Sequence, residues 1–170
     1  MTHTLTVDAG ARVRDLRAAD HLLHALSTEL GPPEAVFGCT HLVRGEGARV
    51  VLSFTFPSEP LLRAARERLS AGGHDVTPGI PDAKGRAVLY PGVTALTGTV
   101  PVADVLARSA IDRVTVLGSG DAAPEACLVT RGHVRPLWQG GRLVLSAMPA
   151  AGGTLAPFEV PNPTPCCANH

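Results

Sequence analysis

Val36-Phe37-Gly38-Cys39-Thr40-His41-Leu42-Val43 and Arg49-Val50-Val51-Leu52-Ser53-Phe54-Thr55-Phe56 are two apolar-rich runs joined by the short, glycine-rich and charged Arg44-Gly45-Glu46-Gly47-Ala48. In the second run Val50, Leu52, Phe54 and Phe56 alternate with Arg49, Val51, Ser53 and Thr55. A period of two marks a strand with one buried face, and the connection suits a hairpin. The register of that hairpin decides where two chemistry-bearing residues go. If Arg44 stands opposite Arg49, then Val43, His41, Cys39 and Phe37 face Val50, Leu52, Phe54 and Phe56, and Cys39 is a small hydrophobe of the core. A slip of one residue moves Cys39 and His41 to the other face. Pairing apolar with apolar favours the first register.

Helical patterns flank the hairpin. Leu16, Ala19, Leu23, Leu26 and Leu30 recur at three- and four-residue steps, with Asp15, Asp20 and Glu29 off the stripe, and Gly31-Pro32-Pro33 ends the run. After the hairpin, Ser58 can cap a second helix with Pro60 in its first turn and Leu61, Leu62, Ala65 and Leu69 as its buried stripe. Thr4–Val7 reads as a first strand and Ala87–Tyr90 as a fourth. The resulting order, β-α-β-β-α-β, predicts an α+β protein whose first half, residues 1–91, is ferredoxin-like.

Beyond Pro91-Gly92, residues 92–160 read as a short helix over Val100–Ala110 and a β-rich extension. Val114–Leu117 is an expected strand, and Gly118-Ser119-Gly120-Asp121 a turn. Cys127–Val134 and Arg142–Met148 are expected to form a hairpin across Gly140-Gly141, followed by a strand in Leu155–Val160. Residues 161–170 form a tail whose alternating prolines favour an extended chain.

Lys+Arg and Asp+Glu are both 15, so no net field draws in nucleic acid or an anionic membrane, and one Trp, one Tyr and four Phe leave little for base stacking. No apolar run approaches the ~20 residues that cross a bilayer. Met1-Thr2-His3-Thr4 lacks the basic and apolar segments of a signal peptide, so a cytoplasmic location is expected. In that compartment the four cysteines are better read as thiols or metal ligands than as disulfides.

Sulfur and imidazole carry the candidate chemistry. The tail places Cys166 and Cys167 together, with His170 three residues beyond, a donor set that suits zinc, or else iron or copper. Adjacent cysteines in an extended chain point to opposite sides, so the tail supplies at most three ligands and only if it turns. Cys39 and His41, two apart on a strand and hence on one face, are the candidate body partners. His21 and His24 read as a solvated helix face. Cys127 and His133, six apart, fall on opposite faces of a straight strand, which suggests a buried Cys127 and an exposed His133.

The leading expectation is therefore a small metal-binding protein, an enzyme if the metal keeps an open position. One alternative is a metal-free oligomeric binding module, a homodimer joined through an uncovered sheet face, with a cleft compatible with a small-molecule ligand. Another is a protein whose C-terminal thiols are redox-active or modified by a partner enzyme.

Overall fold

A computed structural model describes residues 3–11, 13–30, 36–81 and 84–161. The first half runs β1 (His3–Asp8), α1 (Leu16–Leu30), β2 (Phe37–Val43), β3 (Arg49–Phe56), α2 (Glu59–Ala71), β4 (Val76–Pro78) and β5 (Arg86–Leu89). The second half runs β6 (Thr99–Pro101), α3 (Val102–Arg108), β7 (Arg113–Val116), β8 (Gly120–Asp121), β9 (Cys127–Val129), β10 (Leu137–Gln139), β11 (Arg142–Ala150) and β12 (Thr154–Pro157).

All of these strands belong to one mixed 12-stranded sheet with the path β4-β1-β3-β2-β5-β10-β11-β12-β9-β6, β7 and β8 branching from β11. The ferredoxin-like α+β arrangement expected from the element order is thus not what forms. The expected fourth strand, at Ala87–Tyr90, does not close a compact four-stranded unit. It is β5, which pairs antiparallel with the far edge of β2 and also with β10, so the sheet continues into the second half. The short β4 takes the outer edge beside β1 instead. The physical reason lies in β5 itself. Arg86, Ala87, Val88 and Leu89 are all buried, as befits an inner strand covered on both faces.

Two hydrophobic cores share this sheet. One packs α1 and α2 onto Leu5, Val7, Leu52 and Phe54, with Ala19, Leu23, Ala65 and Leu69 inserted from the helices. The other gathers α3 and the second-half strands around Tyr90, Val105, Leu128, Leu143 and Leu145. β5 contributes to both, Val88 and Leu89 to the first and Ala87 to the second. Its register against β2 jumps between Leu89 opposite Gly38 and Ala87 opposite Cys39, a bulge that leaves Val88 over and bends the strand.

The helices begin where local chemistry predicts. Asp15 Oδ1 accepts a hydrogen bond of 2.7 Å from the Ala18 amide, capping α1. α2 carries Pro in its first turn, although the Ser58 hydroxyl makes no capping bond. α1 approaches the sheet closely because Gly38 lies beneath it: a Cβ there would stand 2.9 Å from Leu23 Cδ2. Gly92 is more tightly constrained. Its φ is +84°, and a Cβ would lie 2.0 Å from the Arg108 carbonyl oxygen at the end of α3.

The second-half hairpin is also rearranged. Arg142–Ala150 pairs across Gly140-Gly141 with Leu137–Gln139, while Cys127–Val129 lies two strands away, against β12 and β6. The expected turn over Gly118–Asp121 is shorter: Leu117, Gly118 and Ser119 turn, and Gly120–Asp121 is already β8, paired with β7, with the Arg113 guanidinium on the Asp121 carboxylate.

Candidate functional site

The central hairpin adopts the slipped register. Val43 is opposite Arg49, His41 opposite Val51, Cys39 opposite Ser53 and Phe37 opposite Thr55. Leu52 and Phe54 therefore face α1 and α2 together with Thr40 and Gly38, and Cys39 and His41 point the other way. The expectation that Cys39 and His41 share the core face with Leu52 and Phe54 is corrected accordingly. Their proximity is retained, but on a face that holds a cavity.

That cavity has a volume of about 440 Å³. Its floor is the β2/β3 face, where Cys39, His41 and Ser53 are almost fully buried. His41 Nε2 and Ser53 Oγ are hydrogen-bonded at 2.6 Å. One wall is the contacting pair Phe37 and Trp138, whose ring centroids are 5.5 Å apart at 54°. Ile80, Lys84 and Gly85, from the connection into β5, line the remaining side. Ile80 is 55% exposed, so an apolar side chain stands at the mouth. Gly85 is there for space: an added Cβ would meet His41 Cε1 and Trp138 Cδ1, each at 3.1 Å.

Burial pushes the Cys39 thiol up to about 11, even though the Trp138 and Ser53 side chains favour the thiolate. At neutral pH the group is a protonated thiol, a poor nucleophile and a poor metal ligand. The floor thus offers a hydroxyl–imidazole pair and a neutral thiol, set in surroundings that are otherwise apolar.

A second concavity lies between α1, β5 and the residues following β9 and β12, and its floor is ionic. Arg86 Nη1 and Nη2 donate to Asp20 Oδ1 and Oδ2 at 2.7 and 3.2 Å, and Nη1 also donates to Thr40 Oγ1 at 3.2 Å. On its other side Arg86 Nε donates to both carboxylate oxygens of Glu159, at 3.0 and 2.8 Å, and Nη2 donates to Oε1. Arg135 Nε reaches Asp20 Oδ2 at 3.1 Å, and His133 Nε2 is 2.9 Å from Glu159 Oε1. Burial raises the Asp20 carboxyl, but the hydrogen bonds and charges of Arg86 and Arg135 outweigh it and leave Asp20 below its usual range. Burial likewise raises Glu159, and Arg86 and His133 bring it down. Arg86 is itself held more firmly protonated than usual, its two carboxylates prevailing over burial. The network joins α1 to β5 and to the end of β12, a stabilising role for which its closed hydrogen bonding is suited.

The other sequence candidates separate. His21 and His24 are exposed on α1, as a solvated face requires. Cys127 is half-buried rather than buried, and the His133 side chain, expected to be exposed, is 13% exposed and bound to Glu159. Cys166, Cys167 and His170 lie outside the described residues. Among the described residues no group of three or more His, Cys, Asp and Glu side chains is placed to hold a metal ion, and no helix is long and apolar enough to cross a membrane.

The ionic network was invisible in sequence, since its members come from α1, β5 and two later segments. The cavity did carry a signal in composition: its wall holds Trp138, the chain's one tryptophan, and its edge holds Lys84, the chain's one lysine. No family model, curated protein or solved structure matches the chain.

Proposed function

We propose that the protein is a binding module for a small, largely apolar molecule, held in the cavity between the β2/β3 face and Trp138. The observation that carries this is the slipped hairpin register. It turns Phe37, Cys39, His41 and Ser53 towards a space of about 440 Å³ that the other described residues do not fill. An apolar cavity of that size with a few converging polar groups is the usual form of a small-molecule site. A flat ring can pack against the contacting Phe37–Trp138 pair, and the Ser53 hydroxyl at the floor can exchange a hydrogen bond with one polar substituent.

Trp138 makes the test direct, because one indole N–H signal is expected in a proton–nitrogen NMR spectrum. Titration with 2-(2-naphthyl)ethanol should move that signal, and Thr55→Phe, which fills the cavity from β3 with a good strand former, should abolish the shift. An unmoved indole signal would refute the reading, as would an identical titration in the Thr55→Phe variant.

A second reading is a thiolate–imidazole metal site, favoured by the placement of Cys39 and His41 on one face of β2. Cys166, Cys167 and His170 would then supply the remaining ligands, with zinc, iron or copper as the metal. Ligation by Cys39 must overcome the raised thiol pKa. Metal content by mass spectrometry decides it. About one ion per chain is expected, lost in Cys166→Ser/Cys167→Ser; a metal-free chain purified under reducing conditions without chelator would exclude it.

A further inference from the structure

We infer that the ligand of the Trp138 cavity is an amphipathic carboxylate, with Lys84 at the edge of the site as the residue that reads its charge. The inference rests on the small-molecule reading above and adds the chemical class. Apart from the titratable His41, Lys84 carries the one charge among the described residues that line the cavity. Its neighbours there are Phe37, Ile80, Gly85 and Trp138. Lys84 is exposed and makes no ion pair among the described residues, whereas Arg86, two positions on, is saturated by Asp20 and Glu159. An ammonium group without a carboxylate partner among the described residues, beside an apolar cavity, complements a ligand whose body is apolar and whose end is anionic.

The choice of side chain points the same way. Lysine and arginine together number 15, and all but Lys84 are arginine. A compact ammonium on a flexible stem can swing over a cavity mouth, lay its methylenes on the apolar wall and meet a carboxylate as a point charge. The ligand would enter body first, its ring packed against the Phe37–Trp138 pair, with its carboxylate remaining near solvent under Lys84. This orientation spares the anion the burial that the floor would impose.

The experiment compares two probes with the same apolar body, 2-naphthylacetate and 2-(2-naphthyl)ethanol, by isothermal titration against the full chain, its Lys84→Met variant and its Lys84→Arg variant. The wild type should prefer the carboxylate by roughly two- to fivefold, the upper range for one exposed charged contact. The preference should shrink with added salt. Lys84→Met should bind the two probes equally, and Lys84→Arg should keep the preference. Equal binding by the wild type, or a preference that survives Lys84→Met, would overturn the carboxylate inference and leave the cavity reading standing. Failure of both probes to bind the wild type would overturn both.

Discussion

Replacing Arg86 with methionine should reveal how much of the fold rests on the ionic network. The substitution keeps an apolar stem of similar length and removes a guanidinium whose side chain is 9% exposed. Asp20, 11% exposed, would keep only its 3.1 Å contact to Arg135, while Glu159, 34% exposed, would keep His133 and water. Stripping one partner from a buried ion pair costs about 3–5 kcal/mol, because the other charge stays buried without compensation. Arg135 and the partial exposure of Glu159 place this case at the lower end, about 3 kcal/mol. Urea unfolding at pH 7, followed by Trp138 fluorescence, measures it. A cycle with Asp20→Asn should give a coupling of about 1–3 kcal/mol between the two residues. A loss below about 1 kcal/mol for Arg86→Met, together with a coupling near zero, would refute the structural role.

Three further outcomes follow from the same geometry. Asp20 and Glu159 have folded pKa values below their ordinary 3.8 and 4.5, so their contribution to stability is present above that range and is lost as pH falls through the depressed values. Urea midpoints should therefore drop as pH falls below about 4.5 and do so less in Arg86→Met; a flat profile in the wild type would contradict this. Gly92→Ala should cost about 2 kcal/mol or more, since the residue needs a positive φ and has no room for a Cβ against α3. A thermal midpoint unchanged by that substitution would speak against the described turn. Cys39, buried with its thiol raised to about 11, should resist iodoacetamide at pH 8 in the native protein and react once unfolded; rapid native labelling at Cys39 would show that the floor is more open than described.

The individual elements of the central region were largely legible in sequence. Arg49–Phe56 is a strand over the expected residues, Phe37–Val43 nearly so, and both long helices bury part of their apolar stripes, with Leu16 and Leu61 left exposed. Register and assembly were not legible. The alternation in β3 suggested one buried face, yet Val51 and Ser53 are buried as well as Leu52 and Phe54, so apolar pairing could not tell the two registers apart. β5 reads as an ordinary apolar strand, and nothing local says that it sits beside β2 and opens the sheet to the second half. Asp20 stood off the apolar stripe of α1 and was suited to solvent by type. Its burial depends on Arg86 and Arg135, distant in sequence, and pairing at that range leaves no local pattern.

The most direct measurement is a crystal structure of the protein grown with 2-(2-naphthyl)ethanol. Density for the ring is expected inside the cavity against the Phe37–Trp138 pair, with Cys39 opposite Ser53 in the hairpin. Cys39 packed beside Leu52 and Phe54 instead, or a cavity closed by its own side chains with the probe bound elsewhere, would contradict it.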